Sequence, residues 1–537
     1  MPRAKSRQLP RPKVYTAGNW QGMDDTPDPV AAKPTFVALA RNCYIPPRSF
    51  GASYLGRPGT TKAGSQLGSS TNRHAQYIGQ FTKQDGTEYT VLVFEGEIYT
   101  YSWGGDAWTK QVTTANLTTA TITLSATARV HGVVFQNTLV LSDGVNTPFT
   151  WDGSNGAGGL TKLTNCPVLY GQPVVYYVKL FGIKASERDT MVWSEEGAAN
   201  TGYETGGYTN AWTVPNPTND RMVGLAASND ALTVLWTRSA TRVTGAVSTD
   251  FQTASTRAAV SSTIGTGSPS AVAALDEGVV FVDQDGRPHV IPAGATQPAP
   301  LYEPCRTFLS TINRSALSTV LLVEDRATET VKIGYADAAE SYPSKWLVYT
   351  RDGGTLRLTG VESGYTAAVA GAVKNPSGRW VWMHAGDNDG YVYHHGTPES
   401  GPWSDASGSS TVPIQRELVT MAFGSDPDIE KVFDQISVQG FAPSNQTLQV
   451  YYATPSGMAT SQLVTLAGSG DAFDVSLWDT ATFSEGSNDL RGRVLRAVTE
   501  VLELEGLASG GSLTKAGKAL IRRVDARMRK LKKAGAS

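Results

Sequence analysis

The residues best suited to metal chemistry lie close together near position 390 of this 537-residue chain. Asp387, Asn388, Asp389 and Gly390 are similar to part of a calcium loop, because clustered carboxylates and amides suit a hard cation. An EF-hand, however, needs a bidentate Glu at its twelfth position, and here Pro398 stands there. Asp-Gly between apolar runs is also a strong hairpin signal. We therefore predict a hairpin turn here and no metal site.

Three histidines surround the same turn and are the other candidates for a metal site. His384, His394 and His395 come from one hairpin and could in principle hold zinc. The chain has only six histidines, and no cysteine lies near these three. These facts favour a surface or packing role for the three imidazoles over metal binding.

Motifs for nucleophilic catalysis and for phosphate binding are incomplete. The segment GSQLG at 64–68 has its serine in the wrong place for a nucleophile elbow. Lys518 is followed by Ala519 where a P-loop needs Ser or Thr to reach Mg²⁺. Paired carboxylates at glycosidase separations cannot be located from one sequence, and the Asp-box repeat of sialidases is absent. We predict no enzyme, no catalytic residue and no cofactor.

Tryptophans are the remaining candidates for ligand binding, and most of them fall at the ends of predicted strands. They suit either a wedge role between packed sheets or stacking on a glycan, and the wedge role is favoured. The tryptophans concerned are Trp103, Trp108, Trp151, Trp193, Trp236, Trp346, Trp380, Trp382 and Trp403.

Composition narrows the class of protein. Lys plus Arg number 46 and Asp plus Glu 48, so the formal charge of −2 does not suggest a polyanion-binding protein. The basic start lacks the apolar run of a secretory signal, and no stretch has the roughly 18 apolar residues of a membrane span. Three widely spaced cysteines make no disulfide framework. We expect a soluble protein from a reducing compartment, without membrane insertion.

The middle of the chain, residues 76–405, repeats one plan of paired β-strands. Apolar runs are joined by turns such as Glu95-Gly96 and Asp285-Gly286, which predict hairpins. Successive units begin 36 to 58 residues apart, which is near the length of a propeller blade. A blade cannot bury its own faces, so blades stack around an axis. A β-propeller is therefore predicted, with an array of β-sandwiches as its competitor. The units begin near Val91, Thr138, Val174, Leu232, Val279, Val331 and Trp380.

Two further segments flank the predicted propeller. Residues 1–75 are rich in proline, which disfavours helix and central strand, yet they contain Trp20, Tyr44 and Tyr54. This combination predicts an extended arm that packs on its own body or on a neighbour. Residues 406–510 alternate apolar and polar positions and predict a C-terminal β domain.

The last segment, residues 511–537, differs in composition from the rest. Apolar residues recur at helical spacing, so the segment is predicted to be a basic amphipathic helix. They are Leu513, Leu520, Val524, Met528 and Leu531. Such a helix would dock on its own body or bind a partner, and its removal would leave the β body folded. The basic residues of this predicted partner-binding tail are Lys515, Lys518, Arg522, Arg523, Arg527, Arg529, Lys530, Lys532 and Lys533.

The order of the segments resembles that of the tail nozzle proteins of short-tailed bacteriophages, also called tail tubular or stabilisation proteins. The run GMDDTPDPVAAKPTFVALARNCYIPPRSFGASYLGRPGTTKAG is similar to their amino-terminal signature. RMVGLAASNDALTVLWTRSATRVTG and KVFDQISVQGFAPSNQTLQVYY are similar to a middle hairpin and to the carboxy-terminal β domain. The signature contains Arg41, Asn42, Arg57, Pro58 and Gly59, which are predicted to fix the arm during assembly. The basic tail has no counterpart in the family.

The resemblance implies a structural virion protein that forms a ring, six-fold in the family, at the distal end of the tail. The implied partners are other copies of the chain, the portal-adaptor proteins, and tail fibres or a plug. Genomic DNA would pass through the channel without sequence-specific binding. The location would be the virion, after assembly in the host cytoplasm. A receptor-binding or glycan-binding propeller of a phage tail is the alternative function.

Overall fold

The structure is a computed structural model. The residues that it describes are 13–18, 20–25, 35–47, 54–68, 73–203, 210–215, 220–228, 231–245, 251, 255–386, 389–396, 402, 404–407, 410–420, 430–441, 446–454, 457–458, 462–466, 472–478, 493–500 and 520–531.

The amino-terminal arm forms six short strands, as its many prolines favour short or edge strands over long central ones. They are β1 (Lys13–Gly18), β2 (Gly22–Met23), β3 (Phe36–Arg41), β4 (Cys43–Tyr44), β5 (Tyr54–Gly56) and β6 (Thr60–Lys62). The apolar residues Trp20, Tyr44 and Tyr54 are 0 to 2% exposed. The described part of the arm thus buries these side chains within the chain itself.

Residues 75–395 form a β-propeller, as predicted. In the described part of this region seven antiparallel sheets follow one another, and we number them as blades 1 to 7. Blade 1 contains β7 (Ala75–Thr82), β8 (Glu88–Phe94), β9 (Glu97–Ser102) and β10 (Ala107–Val112), and blade 2 contains β11 (His131–Phe135), β12 (Thr138–Ser142), β13 (Phe149–Trp151) and β14 (Leu160–Lys162). Blade 3 contains β15 (Leu169–Tyr176), β16 (Lys179–Lys184), β17 (Thr190–Glu195), β18 (Ala198–Gly202) and β19 (Ala211–Thr213), and blade 4 contains β20 (Met222–Ala227), β21 (Leu232–Trp236), β22 (Ala240–Thr244) and β23 (Thr256–Ser261). Blade 5 contains β24 (Val272–Leu275), β25 (Gly278–Val282), β26 (Pro288–Pro292) and β27 (Ala299–Pro300), blade 6 contains β28 (Leu321–Asp325), β29 (Thr330–Tyr335), β30 (Lys345–Asp352) and β31 (Thr355–Ser363), and blade 7 contains β32 (Val369–Lys374), β33 (Trp380–Ala385) and β34 (Val392–His395).

Helices are short and lie in the connections between strands of the described residues. They are α1 (Thr114–Thr119), α2 (Arg306–Leu309) and three 3₁₀ turns at Ala157–Gly159, Glu303–Cys305 and Arg314–Thr319.

The first strand of each blade lies on the inside of the ring. These strands contact one another in the order β7, β11, β15, β20, β24, β28 and β32, and β32 contacts β7 again. The ring is therefore closed. Blade 7 has three strands of its own, and β6 from the arm pairs with β34 as its fourth. The amino-terminal arm thus completes the last blade.

The hydrophobic core lies between successive blades. One buried cluster joins Phe81 and Val93 of blade 1 to Leu139 and Trp151 of blade 2. Tryptophans that are at most 2% exposed fill such positions around the ring, as the wedge interpretation predicts: Trp151, Trp193, Trp236, Trp346 and Trp382. Trp103, Trp108 and Trp380 are half-buried, and Trp403 lies outside the described residues.

The predicted hairpin turns form as expected from their sequences. At Glu95-Gly96, between β8 and β9, both residues have positive φ, +50° and +73°. This is the backbone of the tight turn whose twist matches that of the paired strands.

The chain beyond the propeller continues in three sheets, each of which also contains strands of the arm. Its strands are β35 (Ser404–Ser407), β36 (Ser410–Pro413), β37 (Gln415–Thr420), β38 (Glu430–Phe441), β39 (Gln446–Thr454), β40 (Gly457–Met458), β41 (Gln462–Leu466), β42 (Ala472–Trp478), β43 (Arg493–Glu500) and β44 (Leu520–Leu531). The arm strand β3 lies between β31 of blade 6 and β37, so a single sheet runs from the propeller into the C-terminal β domain.

The basic tail differs from the prediction. Residues 520–531 form the strand β44 and not an amphipathic helix, and β44 pairs with β38, β1 and β5. Arg522, Arg523, Arg527, Arg529 and Lys530 therefore stand on a strand within a sheet. Lys515, Lys518, Lys532 and Lys533 lie outside the described residues.

Candidate functional site

The arm lies between two parts of the molecule, with blades 6 and 7 of the propeller on one side and the strands of the C-terminal β domain on the other. Backbone pairing holds it on both sides. Arg41 at the end of β3 is in register with Val361 of blade 6 and with Glu417 of β37. Thr60 of β6 is in register with His395 of blade 7 and with Asp405 of β35. Four of the five predicted arm residues lie between these two pairings, and we call them and their partners the anchoring cluster.

Asn42 is the turning point of the arm. Its φ of +53° lies in the left-handed region, where Asn is enriched among non-glycine residues. Its side-chain amide donates a hydrogen bond to the carbonyl of Gln415 at 2.8 Å. Its Oδ1 accepts hydrogen bonds from the Ser363 amide at 2.9 Å and from Arg57 Nε at 2.9 Å. The side chain of Asn42 thus connects blade 6, β37 and the next part of the arm.

Arg57 is the centre of the anchoring cluster and is 1% exposed. Its Nη1 donates to Asp405 Oδ1 at 2.9 Å, and its Nη2 donates to Asp405 Oδ2, so the pair is bidentate. Nη2 also donates to the carbonyl of Ser363, and Nη1 to that of Pro58. The guanidinium lies 5.2 Å from the ring centre of Tyr365. Burial lowers the pKa of Arg57, but the attraction of Asp405 outweighs it and the pKa is raised.

Gly59 is required by the closeness of two backbone segments. Its amide donates to the carbonyl of Pro402 at 2.6 Å, and its carbonyl accepts from the amide of Gly396 at 2.9 Å. A Cβ at this position would lie 2.0 Å from the carbonyl oxygen of Ser404. Since that oxygen belongs to the backbone, it cannot move aside as a flexible side chain would.

We expect Gly59→Ala to destabilise the protein by about 1–3 kcal/mol, the usual effect of overpacking. The matched control is Gly104→Ala, since a Cβ at Gly104 meets nothing within 4 Å. Thermal unfolding of the two variants measures the difference. Equal midpoints for Gly59→Ala and Gly104→Ala would contradict the close packing of arm and β35.

Arg41 is the outermost of the predicted arm residues, with a side chain 39% exposed. Its Nη1 lies 3.4 Å from the carboxylate of Glu417. The neighbouring Arg416 is 1% exposed and donates from Nη2 to the carbonyl of Arg57 at 3.1 Å. Burial lowers the pKa of Arg416 to about 10. Arg416 and Asp405 were not predicted from the sequence, because neither stands in a recognisable motif.

A second group of buried charges lies beside Tyr365, in blade 6. Lys332 Nζ lies 3.0 Å from Asp325 Oδ2 and 3.1 Å from Glu362 Oε2. The hydroxyl of Tyr365 donates to the same Glu362 oxygen at 2.7 Å. Burial lowers the pKa of Lys332, but the two carboxylates outweigh it and the pKa is raised. The ring of Tyr365 thus separates the Lys332 group from Arg57.

The three histidines considered as possible zinc ligands do not form one cluster. His384 Nδ1 and His395 Nε2 lie 3.2 Å apart in the interior of blade 7, whereas His394 packs against Trp103. Burial lowers the pKa of His384 to about 3, so its imidazole is neutral at pH 7. In the described residues no group of three or more His, Cys, Asp or Glu side chains is placed to hold a metal ion.

The predicted turn near residue 390 is in part described. Asp389 Oδ1 accepts from the Tyr391 amide at 2.9 Å, and its Oδ2 accepts from the Tyr393 hydroxyl at 3.1 Å. Asp387 and Asn388 lie outside the described residues. The Asp389 carboxylate stabilises the turn in the manner of hairpin aspartates.

A polar cavity of about 350 Å³ opens beside the anchoring cluster. Its lining includes two aspartates and two tyrosines. Among the lining residues are Thr60, Tyr365, His384, Asp389, Tyr393 and Asp405. Within this wall the Asp405 carboxylate is neutralised by Arg57.

The fold defines the class of the chain, which is that of the β-propellers. No family model matches the sequence, and no curated protein matches it. A solved structure of PorZ, an essential bacterial surface component of the type-IX secretion system of Porphyromonas gingivalis, is similar with a TM-score of 0.38 and 8% identity. The match covers 80% of this chain and 55% of PorZ, so the chain spans about half of that protein.

YCF48 from Cyanidioschyzon merolae is also similar, with a TM-score of 0.34 and 14% identity over 63% of this chain and 99% of YCF48.

No helix in the described residues is both long and apolar enough to cross a membrane.

Proposed function

We propose that this chain is a structural subunit of the tail nozzle of a short-tailed bacteriophage. The observation that supports this role is the anchoring cluster. Arg41, Asn42, Arg57, Pro58 and Gly59 belong to the segment that resembles the family signature, and they lie where arm, propeller and C-terminal sheet meet. A conduit for pressurised DNA must resist deformation, and buried bidentate pairs rigidify such junctions.

The proposed ring is made of copies of this chain, six in the family that it resembles. A head-to-tail interface that closes by rotation gives a ring. Edge strands such as β10 and β14, which pair on one side only among the described strands, offer backbone groups for pairing across such an interface. The proposed partners are the portal-adaptor proteins and tail fibres or a plug, in the virion, after assembly in the host cytoplasm.

The proposed role is structural, without catalysis or cofactor. The formal charge of −2 suits the passage of DNA, because a strongly basic lumen would retain a polyanion through counterion release. Genomic DNA would therefore slide through without sequence-specific binding.

Electron microscopy of the purified chain and of assembled tails tests the proposal. We expect closed rings with a central channel, and compact monomers in both preparations would contradict it. Asn42→Ala removes a side chain that connects the arm to blade 6 and β37, and it should lower the fraction of rings. Asn137→Ala is the control, because Asn137 is exposed on a propeller turn.

A second candidate function, glycan binding, is favoured by one aromatic cluster of blade 1. The ring of Tyr101 lies 5.0 Å from those of Trp103 and Trp108, and both indoles are half-buried. However, the indole N–H groups already donate, to Thr90 Oγ1 and to the Ala63 carbonyl. A glycan array discriminates, since specific binding that Trp103→Ala abolishes would favour this function over the nozzle.

A further inference from the structure

We propose that Lys332 and Asp325 of blade 6 join through a covalent amide bond between their side chains, an isopeptide cross-link, with Glu362 as the proton carrier. This inference does not depend on the proposed nozzle role, because it concerns three side chains inside one blade. The reaction is a condensation of an amine with a carboxyl group, so it needs no oxidant, metal or other reactant.

The strands of blade 6 bring the three side chains together. Asp325 at the end of β28 is in register with Thr330, and Lys332 stands two residues further along β29, so the side chains of Asp325 and Lys332 lie on the same face. Lys332 Nζ lies 3.0 Å from Asp325 Oδ2, and Glu362 of β31 reaches the same amine at 3.1 Å. Groups held in a near-attack geometry react as if at about 10⁵–10⁸ M. The position of the amine thus favours condensation with Asp325.

The surroundings of the three side chains exclude water. The side chains of Lys332, Asp325 and Glu362 are each only 2 to 3% exposed. Trp346 and Trp382 are 0% exposed, and Nζ lies 4.6 Å from the ring centre of Trp382. Burial of an ammonium and a carboxylate carries a desolvation cost, and the amide bond removes both charges. Exclusion of water also protects the finished bond from hydrolysis.

The turn between β28 and β29 activates the carboxyl group of Asp325. Its Oδ1 accepts hydrogen bonds from the amides of Ala327 at 3.0 Å and of Thr328 at 3.4 Å. Its Oδ2 accepts from the hydroxyl of Thr328 at 2.8 Å. Two backbone donors on Oδ1 stabilise the negative charge that develops there when the amine attacks Cγ. Oδ1 is therefore the oxygen that stays, and Oδ2, beside the amine, is the one that leaves.

The proton transfers follow from the position of Glu362. Lys332 rests as the ammonium, because the two carboxylates raise its pKa. Its Nζ first gives a proton to Glu362 Oε2, which also accepts from the Tyr365 hydroxyl at 2.7 Å. The free amine then attacks Cγ of Asp325, so that the C–N bond forms and the C–Oδ2 bond breaks. Oδ2 leaves as water with two of the three Nζ protons, which Glu362 relays before it returns to the carboxylate form.

Intact mass spectrometry of the full-length chain tests the cross-link. We expect the folded wild type to be lighter than its sequence by one water, and Lys332→Met and Asp325→Ala to have the full mass of their sequences. Lys345→Met is the control, because Lys345 forms a more exposed pair with Asp337, at 2.7 Å, and should keep the water deficit of the wild type. A wild type with the full mass of its sequence would overturn the proposal.

A tryptic digest of the wild type locates the bond and requires no variant. Residues 315–326 and 327–345 should appear as one species, one water lighter than the two peptides together and uncleaved after Lys332. Asp-Gly segments such as Asp285-Gly286 also lose a water when they form a succinimide. A water deficit confined to such segments would therefore overturn the cross-link.

Glu362→Gln tests the proton relay with a side chain of the same size. Glutamine keeps an acceptor for the Tyr365 hydroxyl but cannot take a proton from Nζ. We expect the cross-link to form about 10²–10⁴-fold more slowly, the usual contribution of a general base, in a variant whose tryptophan fluorescence matches that of the wild type. The cross-linked fraction at equal times after synthesis measures the difference, and an unchanged rate would overturn the role of Glu362.

Discussion

Replacing Arg57 by methionine is expected to destabilise the protein by about 3–5 kcal/mol, the usual cost of removing one partner of a buried ion pair. Asp405 would keep its charge in an environment where it is 6% exposed. The carbonyls of Ser363 and Pro58 and Asn42 Oδ1 would lose a donor as well. The expected loss is a large part of the 5–15 kcal/mol by which typical domains are stable.

Chemical unfolding of the wild type and of Arg57→Met, followed by tryptophan fluorescence, measures this effect. The control is Arg306→Ala, which removes an exposed pair with Glu303 whose side chains are 56% and 49% exposed. Such surface pairs contribute about 0–1 kcal/mol. A loss in Arg57→Met no larger than that in Arg306→Ala would contradict the central role of Arg57.

The double variant Arg57→Met/Asp405→Leu separates charge burial from packing. When both charges are replaced by apolar side chains of similar size, the cost of the unpaired carboxylate disappears. The double variant should therefore recover most of the stability that Arg57→Met loses. A double variant no more stable than Arg57→Met would contradict the cost assigned to the unpaired Asp405 carboxylate and would leave the lost bonds to the backbone carbonyls as the main cause.

The blades were predictable because their signals are local. Asp285-Gly286 and Glu95-Gly96 mark turns whose strands lie directly beside them in the chain. The predicted unit starts fall on the second strand of six blades, and only Val174 falls on a first strand, β15. Ring closure was not predictable from these signals. The fourth strand of blade 7 is Thr60–Lys62, about 330 residues from its partner β34, and nothing in three residues indicates that pairing.

Only the arm residues of the anchoring cluster were predictable from the sequence, and their partners were not. Arg57 and Asn42 stand in the segment that resembles a known signature, and that resemblance predicts their role in the arm. Their partner Asp405 lies 348 residues from Arg57, in a Ser-rich and Gly-rich run that is typical of loops. The burial of Arg416 on β37 was not predictable either, since an arginine on a strand is usually exposed. Long-range charge pairing leaves no periodic trace in a single sequence.

The prediction of a helix for the basic tail was wrong for a physical reason. Leu520, Val524 and Met528 are spaced four residues apart, and such positions share a face in a helix and also in a strand. The spacing of these three therefore does not separate the two structures, and basic residues are compatible with both. Only the odd intervals to Leu513 and Leu531 favoured a helix. Pairing with β38 and β1, which lie far away in the sequence, selects the strand.

Deleting residues 512–537 is accordingly expected to unfold part of the C-terminal sheet, whereas a docked helix would have been dispensable. The deletion removes β44, which pairs with β38 along its length, with β1 on its other side and with β5 at Leu520 and Ile521. Each lost ladder hydrogen bond contributes about 0.5–1.5 kcal/mol net, so the expected loss of stability for this sheet is several kcal/mol. Hydrogen exchange by mass spectrometry should show loss of protection in β38 and β1, while blades 1 to 5 stay protected.

Two further variants make this expectation specific to the strand. Deletion of 532–537 removes Lys532 and Lys533 but leaves β44 whole, so protection of β38 should be unchanged. Val524→Pro removes one amide where β44 is in register with both Val438 and Ala17, and proline is rarely tolerated in a central strand. Val524→Pro should reproduce much of the loss of protection that the 512–537 deletion causes. Val524→Ala, which keeps the amide, should not. Unchanged exchange of β38 in the 512–537 deletion would contradict the strand, because a paired central strand cannot be removed without exposing the amides of its neighbours.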